Sequence, residues 1–490
     1  MTTIIKNGFI YDGSGRPPFK GDILIRGDRI IHFGNNVNRK TDKAIDANGA
    51  IVTPGFIDIN NAADHYLDIF AKPEQETFLK QGITTLIGGN CGASLAPLIK
   101  GSLNPLRKWG ESPKININWH SVREFLNTLK KKRLGINFGT LVGHSTIRRA
   151  LTNDEIRDLT EGELAAFKKI LNQALKEGAF GLSIGLEDVH SKHIHYYELL
   201  ALAKIVSANK KIFATHLRDS KDGIENSIQE TIKIAKQTGV NLEISHFLPI
   251  KKFKENYLKS KELIEKEISD THINFDCHPF EFTASPIYKL LPERIQAENL
   301  EQMLMYVNTP HLKNELLAHF KNFTAKDLII GYTAPSLKFL KNKSLKDFAK
   351  NSGLKTEEAL LKLMRICHLR ATVLYRNVDA KTIKDFLLSP VSIIASGNIG
   401  INDEHQIFLE FLKWFKDKTN LPLEKAIVKI TSMPAQKYGI NKRGLIKENY
   451  HADIVVIRDF KASEVLINGQ IVVKDGKSQN ALAGHILCAT

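Results

Sequence analysis

Ile51-Val52-Thr53-Pro54-Gly55-Phe56-Ile57-Asp58-Ile59 is an almost continuous apolar run, interrupted only by a Pro-Gly break and one acid, and it ends at Asn60. A short apolar run bounded by turn residues fits a strand covered on both faces, as in a parallel sheet. Seven more such runs follow, at 84–88, 136–142, 180–186, 212–215, 241–245, 273–277 and 391–395, separated by longer stretches of helical pattern. Eight strands alternating with helices predict an α/β fold, a (β/α)8 TIM-type barrel over residues 51–439. Polar or reactive residues close many of these runs: Asn60, Cys91, His144, Glu187, His216, His246, His278 and Ser396. The C-terminal ends of barrel strands are where such folds carry their chemistry.

Outside the barrel, both ends of the chain read as short strands with tight turns. Asn7-Gly8, Asp12-Gly13 and Gly27-Asp28 punctuate the first fifty residues, and Asn468-Gly469 and Asp475-Gly476 the last fifty. Asn-Gly and Asp-Gly tolerate positive φ and mark hairpins. Residues 1–50 and 440–490 are therefore expected to form one composite β-sandwich. The interval between Cys277 and Val391 is too long for a single helix, which predicts a helical insertion at about 286–346 over the barrel mouth.

Composition excludes little and points to a soluble enzyme-sized chain of 490 residues, 42% hydrophobic and 25% charged. No basic head followed by an apolar run opens the sequence, and no apolar stretch has membrane-spanning length. Cys91, Cys277, Cys367 and Cys488 are far apart, as reduced thiols of a cytoplasmic protein would be. The net charge of +16 raises the question of a nucleic-acid partner. Its densest runs, Lys130-Lys131-Lys132-Arg133 and Lys251-Lys252-Phe253-Lys254, come with no nucleic-acid motif and read as solvated helix ends and loops. The expected partner is a small-molecule substrate or ligand.

Three strand-closing residues stand out as metal ligands: Cys91 in Gly89-Asn90-Cys91-Gly92, His216 in Thr215-His216-Leu217-Arg218, and His246 after Ile244-Ser245. One thiolate and two imidazoles suit Zn²⁺, which in catalytic sites keeps an open position and brings the pKa of its water down to ~7. Taken singly, Cys91 reads as a buried thiol and each histidine as a hydrogen-bonded barrel residue. Together they predict one zinc site.

The sequence resembles the D-aminoacylase (N-acyl-D-amino-acid deacylase) family of the amidohydrolase superfamily. The likeness is carried by Thr53-Pro54-Gly55-Phe56-Ile57-Asp58, Gln81-Gly82-Ile83-Thr84-Thr85, Gly89-Asn90-Cys91-Gly92, Leu141-Val142-Gly143-His144, Thr215-His216-Leu217-Arg218 and Ala452-Asp453-Ile454-Val455-Val456. It implies a zinc-dependent hydrolase of non-peptide C–N bonds that releases a D-amino acid and a carboxylate, with Cys91, His216 and His246 matching the family's tightly held zinc. The departures are specific. The family's second-metal histidines are replaced by Asn60 and Ala62, and its catalytic Asp in Ser-Asp-Gly falls on Gly397 of Ser396-Gly397-Asn398. Its carboxylate-binding Arg and Lys fall on Gln406 and Leu248, with Lys251 and Lys252 close by, and its Tyr-Pro-Tyr reads His278-Pro279-Phe280.

Asp64, Glu187, Asp188, Asp403 and Glu404 read as ordinary loop acids or as substitutes for the missing base, with Glu187 and Asp188 the first to test, while His144 could position or polarise the substrate or only pack the barrel end. His65 is a candidate to rescue the lost ligand pair, and the loop His190-Ser191-Lys192-His193-Ile194-His195 reads either as another metal site or as a solvated loop. Two functions are consistent with this reading. One is a one-metal amide hydrolase with poor D-aminoacylase turnover. The other is a catalytically silent relative that keeps its zinc for stability or ligand binding.

Overall fold

A computed structural model describes residues 1–35, 37, 40–99, 116–321, 327–397 and 406–490. Eight parallel strands follow one another in chain order: β1 (Phe56–Asp58), β2 (Ile83–Gly88), β3 (Asn137–Thr140, continued by Val142–Gly143), β4 (Gly181–Gly185), β5 (Ile212–His216), β6 (Asn241–Ser245), β7 (Ile273–Cys277) and β8 (Ser392–Ile394). Each pairs with the next, from β1 to β8. A parallel bridge between Asn61 and Gly397, with the Gly397 amide donating to the Asn60 carbonyl at 2.7 Å, closes the cylinder.

Neighbouring residues along these strands fall into two separate cores, as the period-2 geometry of a strand requires. Ile57, Ile87, Ile212, Ala214 and Ile393 pack inside the barrel with Phe180 and Tyr438. Phe56, Leu86, Phe213, Leu242, Phe275 and Ile394 pack outward under the helices.

Both ends of the chain join one nine-stranded sheet in which Ile51–Pro54 lies between Thr2–Ile10 and Ile454–Arg458. The Ile51–Ile59 run is thus shared: its first half completes the terminal sheet and its second half starts the barrel, with Gly55 as the joint. The Gly55 amide donates to the Asp453 carbonyl at 2.8 Å. The Asp453 side chain ties the layers together, accepting from Arg443, from Asn137 Nδ2 of β3 at 3.0 Å and from the Asn468 amide at 2.8 Å. Asp453 and Arg443 are both buried, so Asp453→Ala strands a guanidinium without its counter-charge. That change is expected to cost ~3–5 kcal/mol, read as a lower denaturation midpoint at unchanged slope.

The insertion differs from its expected extent. Its own core runs from Ile287 to Val373, beyond the anticipated 286–346. Besides helices it contains a three-stranded antiparallel sheet of Thr283–Pro286, Thr372–Tyr375 and Leu328–Ile330. Its strands lie far apart in sequence and all three are only three or four residues long, so period-2 patterning hardly marks them. It sits on the C-terminal face of the barrel: Tyr66 bonds Thr372 and packs against Tyr332 with ring centroids 4.6 Å apart and the rings tilted by 49°, and Lys289 pairs with Asp188 at 2.5 Å.

No described helix is long and apolar enough to cross a membrane. All four cysteines are free thiols.

Candidate metal centre

The loop after β2 is shaped by Gly89, at φ +77°. A Cβ there would lie 2.3 Å from the Leu141 carbonyl oxygen, so no side chain fits. The turn lets Cys91, itself at φ 52°, face across the barrel mouth. Two residues expected as rescue groups hold this loop. Asp64 Oδ2 accepts the Gly89 amide at 2.6 Å, and His65 Nε2 lies 3.2 and 3.3 Å from the carbonyls of Asn90 and Ala93. Both brace the backbone around Cys91.

Strand register sets the histidines. His216 ends β5 opposite Ser245, and His246 follows directly, with φ 56° turning its side chain back over the mouth. The two rings are 5.3 Å apart at 64°. Cys91 Sγ lies 3.3 Å from His246 Nε2, and the three donor atoms are all within 4.8 Å of one another. A tetrahedral zinc needs roughly 3.3–3.6 Å between such donors. The cluster fits that ion with small side-chain movements.

Charges around the cluster are ordered. Glu187 Oε2 lies 3.2 Å from His216 Nε2, and Glu187 Oε1 accepts from Ser220 Oγ at 2.6 Å. Burial works against charge on both partners. Even so, Cys91 and Glu187 hold the His216 imidazolium well above its ordinary value, and His216 holds Glu187 well below the carboxylate range. Burial and the neighbouring His216 push His246 down, toward the neutral ring. Asp188 pairs with Lys289, brought in by the insertion.

Asp276, near the end of β7, was not singled out in the sequence. Its Oδ1 accepts the His246 amide at 3.1 Å and lies 3.9 Å from His246 Nδ1, while its Oδ2 accepts from Asn60 Nδ2 at 2.8 Å. Burial raises its carboxyl to about 6. A carboxylate behind a ligating imidazole fixes the ring's orientation. The available signal was an acid inside the apolar run Ile273-Asn274-Phe275-Asp276-Cys277.

The second-metal positions are filled differently. Asn60 bridges Asp276 and lies 3.4 Å from His246 Nε2, and Ala62 is fully buried. Gly397 has φ +54°, and a Cβ there would lie 3.1 Å from His246 Cε1. An acid at 397 therefore meets both left-handed backbone and a crowded ring. Gly397→Asp alone is expected to cost ~1–3 kcal/mol and to loosen zinc instead of restoring activity. A melting curve and a zinc titration of the variant check this, and an unchanged melting point with tighter zinc would contradict it.

Other expected residues lie elsewhere. His144, expected to position substrate or to pack the barrel end, is buried in the helical layer, with Nε2 2.8 Å from Glu198 Oε1 and its ring against Phe167. Leu248 is buried, Lys251 Nζ donates to the Arg376 carbonyl at 3.3 Å, and Gln406 lines a surface groove with Asp68 and Lys72. In the His-rich loop, His195 pairs with Asp158 on the surface at 3.1 Å. Asp403 and Glu404 lie outside the described residues.

Residues 345–472 match the Amidohydrolase family. An N-acyl-D-aspartate deacylase of Alcaligenes xylosoxydans xylosoxydans is 28% identical over 465 residues, 92% of this chain and 85% of the relative. A D-aminoacylase of the same organism is 26% identical over 467 residues, 92% of this chain and 87% of the relative. Among solved structures, a D-aminoacylase with a binuclear metal centre superposes with a TM-score of 0.81 at 24% identity over 99% of both chains. An N-acyl-D-glutamate deacylase from Bordetella bronchiseptica, complexed with zinc and a phosphonate inhibitor, superposes with a TM-score of 0.80 at 25% identity, again over 99% of both chains.

Proposed function

We propose that this chain, similar to N-acyl-D-aspartate and N-acyl-D-glutamate deacylases, hydrolyses a linear amide with one zinc ion, held by Cys91, His216 and His246. The observation that carries this reading is Glu187, a carboxylate 3.2 Å from His216 at the cluster, on a side of the mouth that does not depend on position 397. One-metal activation and second-metal attenuation in the D-aminoacylase that superposes on this chain give a precedent that supports a one-metal reading. A zinc ion in this donor set supplies Lewis acidity, lowering the pKa of water and polarising a carbonyl.

The chain's own residues supply the rest. Glu187, fixed by Ser220, accepts the proton of the water that attacks the acyl carbon. It then returns that proton to the departing nitrogen as the C–N bond breaks, and the remaining proton of the attacking water follows, giving a carboxylate and an ammonium group. Asp276 holds His246 in orientation through its backbone amide and ring. Lys289, partly buried beside Asp188, brings a cation to the mouth in place of the Arg and Lys positions occupied by Gln406 and Leu248. A substrate carrying a carboxylate beyond the scissile amide fits that cation.

The test is a panel of N-acyl-D-amino acids assayed with the zinc-loaded protein. Acidic side chains are expected to be cleaved in preference to neutral ones, and simple N-acetyl-D-amino acids to react poorly. Absence of hydrolysis across the panel, with zinc bound, would favour the catalytically silent reading, which the crowded Gly397 position supports.

A further inference from the structure

We propose that the chain binds a second divalent transition-metal ion at Asp28, His451 and His485, away from the barrel mouth, where it pins the two ends of the chain together. The three offer ligand atoms within 4.8 Å of one another. They come from separate segments: the hairpin turn between Phe19–Arg26 and Arg29–Gly34, the approach to Ile454–Arg458, and the C-terminal segment. A site built from two imidazoles and a carboxylate selects zinc-like ions over magnesium or calcium, which prefer all-oxygen shells.

The backbone at each position is fixed. The Asp28 carbonyl accepts the Ala452 amide at 2.9 Å, and the His451 amide donates to the Lys442 carbonyl at 2.9 Å. The His485 amide donates to Asn137 Oδ1 at 2.9 Å, and its carbonyl accepts the Phe138 amide at 3.0 Å. The donors therefore converge without further ordering of the chain. His451 Nδ1 is the second observation. It is buried and lies 3.2 Å from Asp28 Oδ2, yet makes no hydrogen bond. A buried imidazole nitrogen without a partner is costly, and a cation between it and the carboxylate satisfies both.

Neighbouring cations do not close the site. Arg443, 3.3 Å from His485 Nδ1, is already neutralised by Asp453 and bonded to Asn468. Arg29 lies 3.4 Å from Asp28 in an exposed pair, a weak kind of competitor. His485 is exposed and lines a cavity of about 470 Å³ with Arg133, Gln470 and Ile486, so the ion has an entry path and room for water.

The experiment counts metal in untagged full-length protein, stripped with chelator and titrated with zinc or cobalt at buffered micromolar concentration. Wild type is expected to take two equivalents and His485→Ala one. His485→Ala should keep the thiolate–cobalt absorption of the Cys91 site. Cys91→Ala should take one equivalent without that absorption, and zinc should raise its melting temperature. That rise should vanish in Cys91→Ala/His485→Ala, which should take none. Equal uptake by wild type and His485→Ala would overturn the proposal. The barrel site fails separately, when wild type shows no thiolate–cobalt absorption.

Discussion

Glu187→Gln is expected to lower kcat for amide hydrolysis by ~10²–10⁴-fold, the span that a positioned general acid–base contributes. Gln has nearly the same shape and still accepts from Ser220, so the loop should keep its fold. Zinc content should stay near that of wild type, because Glu187 touches His216 without belonging to the converging Cys91, His216 and His246 set. KM should change little, since the lost step is proton transfer and substrate binding is untouched. Asp188→Asn serves as the control. Its carboxylate pairs with Lys289, so its removal should act on KM for acidic substrates more than on kcat. A Glu187→Gln enzyme within a few fold of wild type would exclude Glu187 as the base and turn attention to Asp276.

Cys91→Ala or His216→Ala should remove the barrel zinc and bring hydrolysis down to background, because two remaining donors cannot form a closed three-ligand set. Zinc uptake at this site should also weaken as pH falls. In the metal-free protein, Cys91 and Glu187 keep His216 protonated above its ordinary range, so zinc must displace that proton. Affinity is expected to drop about tenfold per pH unit for each proton displaced, across the neutral range. Competition titrations at several pH values measure the slope. A pH-independent affinity would show that His216 is already neutral or is not a ligand.

The sequence by itself determined the barrel and the three residues that cluster at its mouth. Apolar runs of strand length spaced by helices leave few other architectures, and a residue just past a run lies at the strand end by local geometry alone. Cys91, His216 and His246 were legible for that reason, whereas the losses at 60, 62 and 397 were legible only against the pattern of the family that the sequence resembles. Tertiary structure decided what surrounds them. Glu187 meets His216, and Asp276 meets His246, only because adjacent strands bring them into register. Lys289 reaches Asp188 because the insertion folds back over the mouth, about 100 residues away in sequence. His144 ends a strand as expected, but the helix it begins turns it toward Glu198. Asp28, His451 and His485 span almost the whole chain and follow no spacing rule. Side-chain meetings of this kind depend on closure of the barrel and on pairing of the chain's two ends, and a pattern of period 2 or 3.6 carries no information about either.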